Sequence, residues 1–140
     1  MVQITAIEIS EMSKTALVNH GASAWIASHV ADAIAKAESV GNHICGLYYL
    51  ESYCQQLISG RVNGKVHPVV STPKGGTVHV DAGMGFAQPA FACGLPPAVN
   101  LAKNLGVATL AIGHAHTCTS LGYFTEQIAR AGLIGLGFTN

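Results

Sequence analysis

The run SGRVNGKVHP, residues 59–68, separates two stretches whose apolar residues recur with different periods, and this change limits the possible folds more than any other feature. Before it the spacing is helical. In AWIASHVADAIAKAES, Ile26, Val30, Ile34 and Ala37 fall on one side of a helix that Ser23 can cap and Gly41 stops. A further helix runs from about Leu47 to Ile58, with Leu47, Leu50, Cys54, Leu57 and Ile58 as its apolar face and Gly60 as its C-cap. Ahead of both, the alternation in VQITAIEI predicts a short strand, after which Ser10 caps a helix over EMSKTALVNH that Gly21 ends.

Beyond the divide, β-branched runs take over. HPVVST and TVHVDA flank a PKGG connection and predict a β-hairpin, followed by a glycine break at GMGF. QPAFACGLPPAVNLAKNL reads as helical in its second half, its prolines near the helix start, where a missing N–H costs least. GVATLAI reads as a buried strand, SLGYFTEQIARA as a helix ended by Gly132, and LIGLGFTN as a second buried strand. The expected fold is therefore α/β, with a helical region over residues 1–64 and the first part of a mixed-sheet domain over residues 65–140. A terminal strand with nothing beyond it lacks cover for its faces and edge, so a second polypeptide segment continuing after Asn140 is expected to complete the sheet.

Composition narrows the partners. Apolar residues make up 49% of the chain and charged ones 10%, so much of a small monomer's surface would be apolar, and a homo-oligomer of the completed unit is expected. Net charge is zero and Lys and Arg are scattered, which disfavours nucleic acid and anionic membranes as partners. No apolar run is long enough to span a bilayer and no leader is recognisable, so the expected compartment is the cytoplasm. Cys45, Cys54, Cys93 and Cys118 form no CxxC pair and read as reduced thiols rather than a disulfide framework or zinc site.

Two short stretches carry chemistry. In GHAHTCT, residues 113–119, His114 and His116 follow a strand at the end where α/β sheets bind ligands, and on extended backbone they share one face. Two imidazoles without a third ligand do not define a metal site, so none is assigned; a histidine working in a substrate or cofactor pocket and a merely hydrogen-bonded histidine both fit the spacing. In GNHICG, residues 41–46, His43 and Cys45 sit between helices. A thiol near a helix N-terminus beside an imidazole can be a nucleophile, although a packed cysteine next to a solvent-facing histidine explains the same spacing. DAGMGF lacks the third glycine of a dinucleotide fingerprint, and a sharp backbone bend accounts for it. His20, His29, His67 and His79 read as structural or exposed.

SGRVNG, VDAGMGFAQPA, AVNLAKNLGVATLAI, the turn with HTC and GYFTEQIARAGLIGLGFTN together resemble the N-terminal portion of the type-2 malate/lactate dehydrogenases, over nearly the whole chain. The resemblance implies a homodimeric fold that is not a Rossmann fold, NAD or NADP as cofactor, and reduction of 2-oxo acids or cyclic imines by hydride transfer. In that family the helix link reads Gly-x-x-Ser-His-Gly with an arginine three residues on; the histidine protonates substrate and the arginine holds its carboxylate. This chain has Ile44, Cys45 and Tyr49 at those positions, so all three working groups are replaced. Aligned on Gly122, the family's Ser-His-Asn-Cys-Gly version of its second motif places His116 and Cys118 on its His and Cys, whereas its Asn-His-Phe-Gly version puts Thr117 at the histidine; Thr119 replaces a glycine in both. His43 lies two positions from the family's histidine and points elsewhere unless the link is rebuilt. If chemistry survives, the candidate catalytic residues are His116 and, as a rebuilt corner, Cys45 and His43, with Tyr49 and Thr117 the substrate-side residues and Thr119 and Ser120 the cofactor-side residues.

Three functions fit this reading. The first is an NAD(P)-dependent oxidoreductase polypeptide. The second is the α chain of a self-processed hydrolase on the same scaffold, with an N-terminal Thr or Ser nucleophile on a following chain and no nicotinamide. The third is a non-catalytic subunit or truncated relic.

Overall fold

The computed structural model describes residues 4–140, which form two compact units, one ending at Lys65 and the other starting at Val66. Among the described residues there are five α-helices and a three-stranded mixed sheet.

The first unit is helical: α1 (Ala6–Asn19), α2 (Ala24–Ser39), a 3-10 turn at His43–Cys45 and α3 (Leu47–Ile58). Helix α1 starts earlier than predicted and replaces the expected strand from Ala6 onward, while Val2 and Gln3 of that strand lie outside the described residues. The cause is a capping box. Thr5 Oγ1 accepts from the Glu8 N–H at 3.2 Å and the Glu8 carboxylate accepts from the Thr5 N–H at 2.8 Å, so the cap is Thr5 and not Ser10. Ile9, Ser13 and Leu17, one helical turn apart, form the buried stripe, whereas Ile4 and Ile7 of VQITAIEI are exposed.

Helix α2 has the predicted bounds, with Ser23 Oγ accepting from the Ile26 N–H. Its buried face, Ile26, Ala27, Val30, Ala31, Ile34 and Ala37, is rich in alanine and packs against α1. Helix α3 also has its predicted span, but its buried face is Tyr53, Cys54 and Leu57; Leu47 and Ile58 are exposed. Counting aliphatic residues alone missed Tyr53, which is fully buried and turns the face toward itself. Ser59 is the C-cap and Gly60, at φ 71°, follows it.

The second unit runs β1 (Val69–Ser71), β2 (Thr77–Phe86), α4 (Ala87–Leu105), β3 (Thr109–His116) and α5 (Leu121–Arg130). The predicted hairpin is present: β1 pairs antiparallel with β2, Val70 opposite Val80. β2 then pairs parallel with β3, Val80 opposite Ile112, with α4 as the crossover. Val78, Val80 and Ala82 point to one face of β2 and close a core with Ala90 and Ala98 of α4.

Three expectations fail here for local reasons. The glycine break at GMGF is a continuing strand with a bulge: Asp81 faces Gly113 and Gly85 faces Ala115, so Ala82, Gly83 and Met84 lie opposite His114 alone. Helix α4 begins at Ala87, and Pro96 and Pro97 lie inside it, because the apolar face from Ala87 through Phe91 to Ala98 gains more by burial than two missing N–H groups lose. The predicted terminal strand is absent: residues 134–140 join no ladder, and β3 itself is half-exposed rather than buried. Gly135 and Gly137 lie against Ile128 and Thr125 of α5, which turns Ile134, Leu136 and Phe138 outward, at 95%, 78% and 88% exposure. No strand is left there for a further segment to pair with, while a row of exposed apolar side chains remains.

Gly94 sets the spacing between α4 and the sheet. A Cβ there would lie 2.5 Å from Leu110 Cδ1 and 2.7 Å from Val80 Cγ2. Leu110 can swing aside, but Val80 is β-branched and fully buried. Helix propensity favours alanine by about 1 kcal/mol, and overpacking costs about 1–3 kcal/mol. The expected outcome of Gly94→Ala is therefore a lower denaturation midpoint; a higher midpoint would contradict this helix–sheet distance.

Candidate functional site

The helix link of the first unit is built around Glu38, in the last turn of α2. Gly41, at φ 75°, lets the chain turn back, and the 3-10 turn closes with Cys45 N–H donating to Asn42 O and Gly46 N–H to His43 O. Gly46 is the N-cap of α3 and has no side chain with which to cap it. Glu38 does so from the neighbouring helix: its Oε1 accepts from the Leu47 N–H at 2.7 Å. Its Oε2 lies 2.5 Å from His43 Nδ1. A Cβ on Gly46 would fall on this carboxylate, so glycine is required for the approach.

The Glu38 side chain is 14% exposed and that of His43 is 71% exposed. Burial pushes the Glu38 carboxyl up, but the Leu47 N–H and then the hydrogen bond and charge of His43 together outweigh it, leaving it below the ordinary glutamate value. A folded-state value below the unfolded one gives stability that is complete above the ordinary glutamate value, about 4.3, and disappears as pH falls through the folded value. Glu38→Gln is expected to be less stable than the parent at neutral pH, with the difference closing in acid. Denaturant unfolding across that range checks it.

Cys45 is a half-exposed free thiol, and Tyr49 is half-buried with its ring edge-on to Tyr53 at 5.2 Å. In a 3-10 turn, residues two apart point about 120° from each other, so His43 and Cys45 offer no common face. The imidazole's partner is the carboxylate of Glu38.

In the second unit the candidate residues gather at the carboxyl ends of β2 and β3. His114 departs from extended backbone at φ 50°, which interrupts the face it was expected to share with His116. Its Nδ1 is 3.1 Å from Asp81 Oδ1, opposite the bulge. The Gly83 N–H, then the His114 bond, hold the Asp81 carboxyl below the ordinary aspartate value. His116 lies opposite Phe86 and sets its ring edge-on to it at 5.9 Å, with Nε2 buried.

Thr117 Oγ1 accepts from the Thr119 N–H, and Thr119 Oγ1 donates to Cys118 O, which also accepts from the Gln88 amide. Ser120 is the N-cap of α5 and makes no side-chain capping bond. Met84, His114 and Thr119 are the non-glycine residues with positive φ among those described, and such strain concentrates at functional sites. No group of three or more His, Cys, Asp or Glu suited to a metal ion occurs among the described residues, and no helix among them is long and apolar enough to cross a membrane.

Sequence reasoning missed Glu38 and Asp81. Each carried a signal: a carboxylate in the last turn of a helix opposes the helix dipole, and Asp81 interrupts a run of β-branched residues. Both anomalies are explained by a histidine partner.

A profile of the malate/L-lactate dehydrogenase family matches residues 4–140. The chain is 35% identical over 133 residues to the delta(1)-pyrroline-2-carboxylate/delta(1)-piperideine-2-carboxylate reductase of Pseudomonas syringae pv. tomato, covering 95% of this chain and 39% of that protein. It is 35% identical over 137 residues to the (2R)-3-sulfolactate dehydrogenase (NADP(+)) of Chromohalobacter salexigens, covering 98% of this chain and 41% of that protein. Among solved structures, malate dehydrogenase from Entamoeba histolytica superposes with a TM-score of 0.85 at 20% identity, covering 94% of this chain and 37% of that one. The chain thus spans about two-fifths of the length of these proteins.

Proposed function

Because the chain belongs to the malate/L-lactate dehydrogenase family, an oxidoreductase family, we propose that it forms part of an NAD(P)-dependent reductase acting on a small carboxylate with an adjacent C=N or C=O bond. The observation that carries this is the match along residues 4–140 to relatives whose names specify a cyclic imino acid reductase and an NADP-dependent hydroxy acid dehydrogenase.

The donor chemistry fits a nicotinamide dinucleotide. Thr119 and Ser120 place hydroxyls at the start of α5, where backbone N–H groups and the helix dipole favour phosphate oxygens. When bound, the nicotinamide supplies the hydride. In the first unit, His43 supplies the proton to the substrate's nitrogen or oxygen, while Cys45 leaves the turn in another direction. Tyr49 gives the substrate carboxylate one neutral hydrogen bond where the family's arginine gives a charged pair, so weaker carboxylate binding and a raised KM follow. In the second unit, His116 and Thr117 supply polar groups at the carboxyl end of β3. The exposed Ile134, Leu136 and Phe138 support a further polypeptide covering that face.

Titration of the complete assembly, this chain with the polypeptide that completes it, with NADH and NADPH, followed by quenching of protein fluorescence, tests the reading. Saturable quenching by at least one of them is expected. Its absence with both would overturn the assignment.

A further inference from the structure

His43 and Cys45 leave the 3-10 turn in different directions, so the thiol does not orient the imidazole. What gives His43 a defined orientation is Glu38, whose two oxygens are both engaged, one by the Leu47 N–H and the other by His43 Nδ1. We propose that Glu38 is a positioning residue that fixes His43 in the Nδ1–H tautomer and so makes Nε2 the nitrogen that exchanges a proton with substrate.

The carboxylate accepts and cannot donate, so the nitrogen facing it must carry hydrogen. The rest of the ring stands open, the side chain being 71% exposed. A charged His43 then gives up the Nε2 proton to the substrate's nitrogen or oxygen: the N–H bond at Nε2 breaks, a new N–H or O–H bond forms, and the ring is left neutral with Nδ1–H still on Glu38. A proton from water restores it. The same carboxylate caps α3, so the orientation of the imidazole is tied to the first turn of that helix. The assignment of Nε2 as the reacting end rests on the reductase reading; the assignment of the tautomer does not.

The test is long-range proton–nitrogen NMR of the imidazoles in the full chain, with His43 identified by its loss in His43→Asn, at a pH where the ring is neutral. The parent is expected to show Nδ1 protonated and Nε2 bare. In Glu38→Gln a single acceptor oxygen serves Leu47 N–H and the amide nitrogen donates to Nδ1, so the proton moves to Nε2. Gly46→Ala, which displaces the carboxylate while keeping it, is a second route to the same release. In the reductase assay Glu38→Gln is expected to lower kcat on the order of 10²-fold, with KM unchanged. A parent ring protonated at Nε2, or a tautomer unmoved by both substitutions, overturns the positioning role whatever the activity. The predicted tautomers with full turnover in His43→Asn would overturn proton delivery alone.

Discussion

Replacing His43 with asparagine lowers turnover by about 10²–10⁴-fold, the range typical of losing a general acid, and leaves the fold intact. Asparagine places an amide N–H near the position of Nδ1, so Glu38 keeps a donor there and continues to accept from the Leu47 N–H. What disappears is Nε2. Cys45→Ser is the contrasting variant: the thiol is half-exposed and the imidazole is tied to Glu38, so the expected change is a few-fold at most by the same comparison. Steady-state kinetics of both variants separate the assignments, and the reverse ranking would move the chemistry from His43 to Cys45.

Phe86→Ala has the largest expected effect on stability, a loss of about 3–5 kcal/mol. Phe86 ends β2, caps the start of α4 and is fully buried, so the cavity opens where strand passes into helix. Its ring also bounds that of His116. Phe86→Leu retains most of the volume and is expected to cost less than about 1.5 kcal/mol, but it removes the edge-to-face contact. Denaturant unfolding reads the stability, and the His116 ring resonances read the contact. In Phe86→Leu those resonances move while the fold persists. Equal midpoints for the parent and Phe86→Ala would contradict the burial.

Where a local signal and its tertiary use agreed, the sequence was a good guide. Helix α2 and helix α3 have the bounds that Ser23, Gly41 and Gly60 indicate, and the hairpin of β1 and β2 follows from its Pro/Gly connection. The α/β class and the family resemblance hold as well. Elsewhere a segment's neighbours decide its state. Thr5 and Glu8 turned an alternating run into helix, and burial against the sheet carried α4 through Pro96 and Pro97. LIGLGFTN has the composition of a strand but lies along α5 on its glycines.

The candidate site was legible by residue type but not by partner. His43 and His116 stood out, whereas the carboxylate that orients His43 lies five residues away in the preceding helix, and the ring that bounds His116 lies thirty residues away in β2. Such pairings depend on how the turn and the sheet register close. Spacing along the chain does not record them.

Hydride transfer to a carboxylate-bearing C=N or C=O group is the step that the proposed reductase, with this chain as one part of it, has to perform. Reduced nicotinamide deuterated at its transferable position, supplied with cyclic imino acids and 2-oxo acids and followed by mass spectrometry of the products, tests it directly. One deuterium is expected in the product, on the carbon next to the carboxylate, with nicotinamide oxidised in equal amount. Nicotinamide left unoxidised with every substrate, or a product without the label, would contradict it.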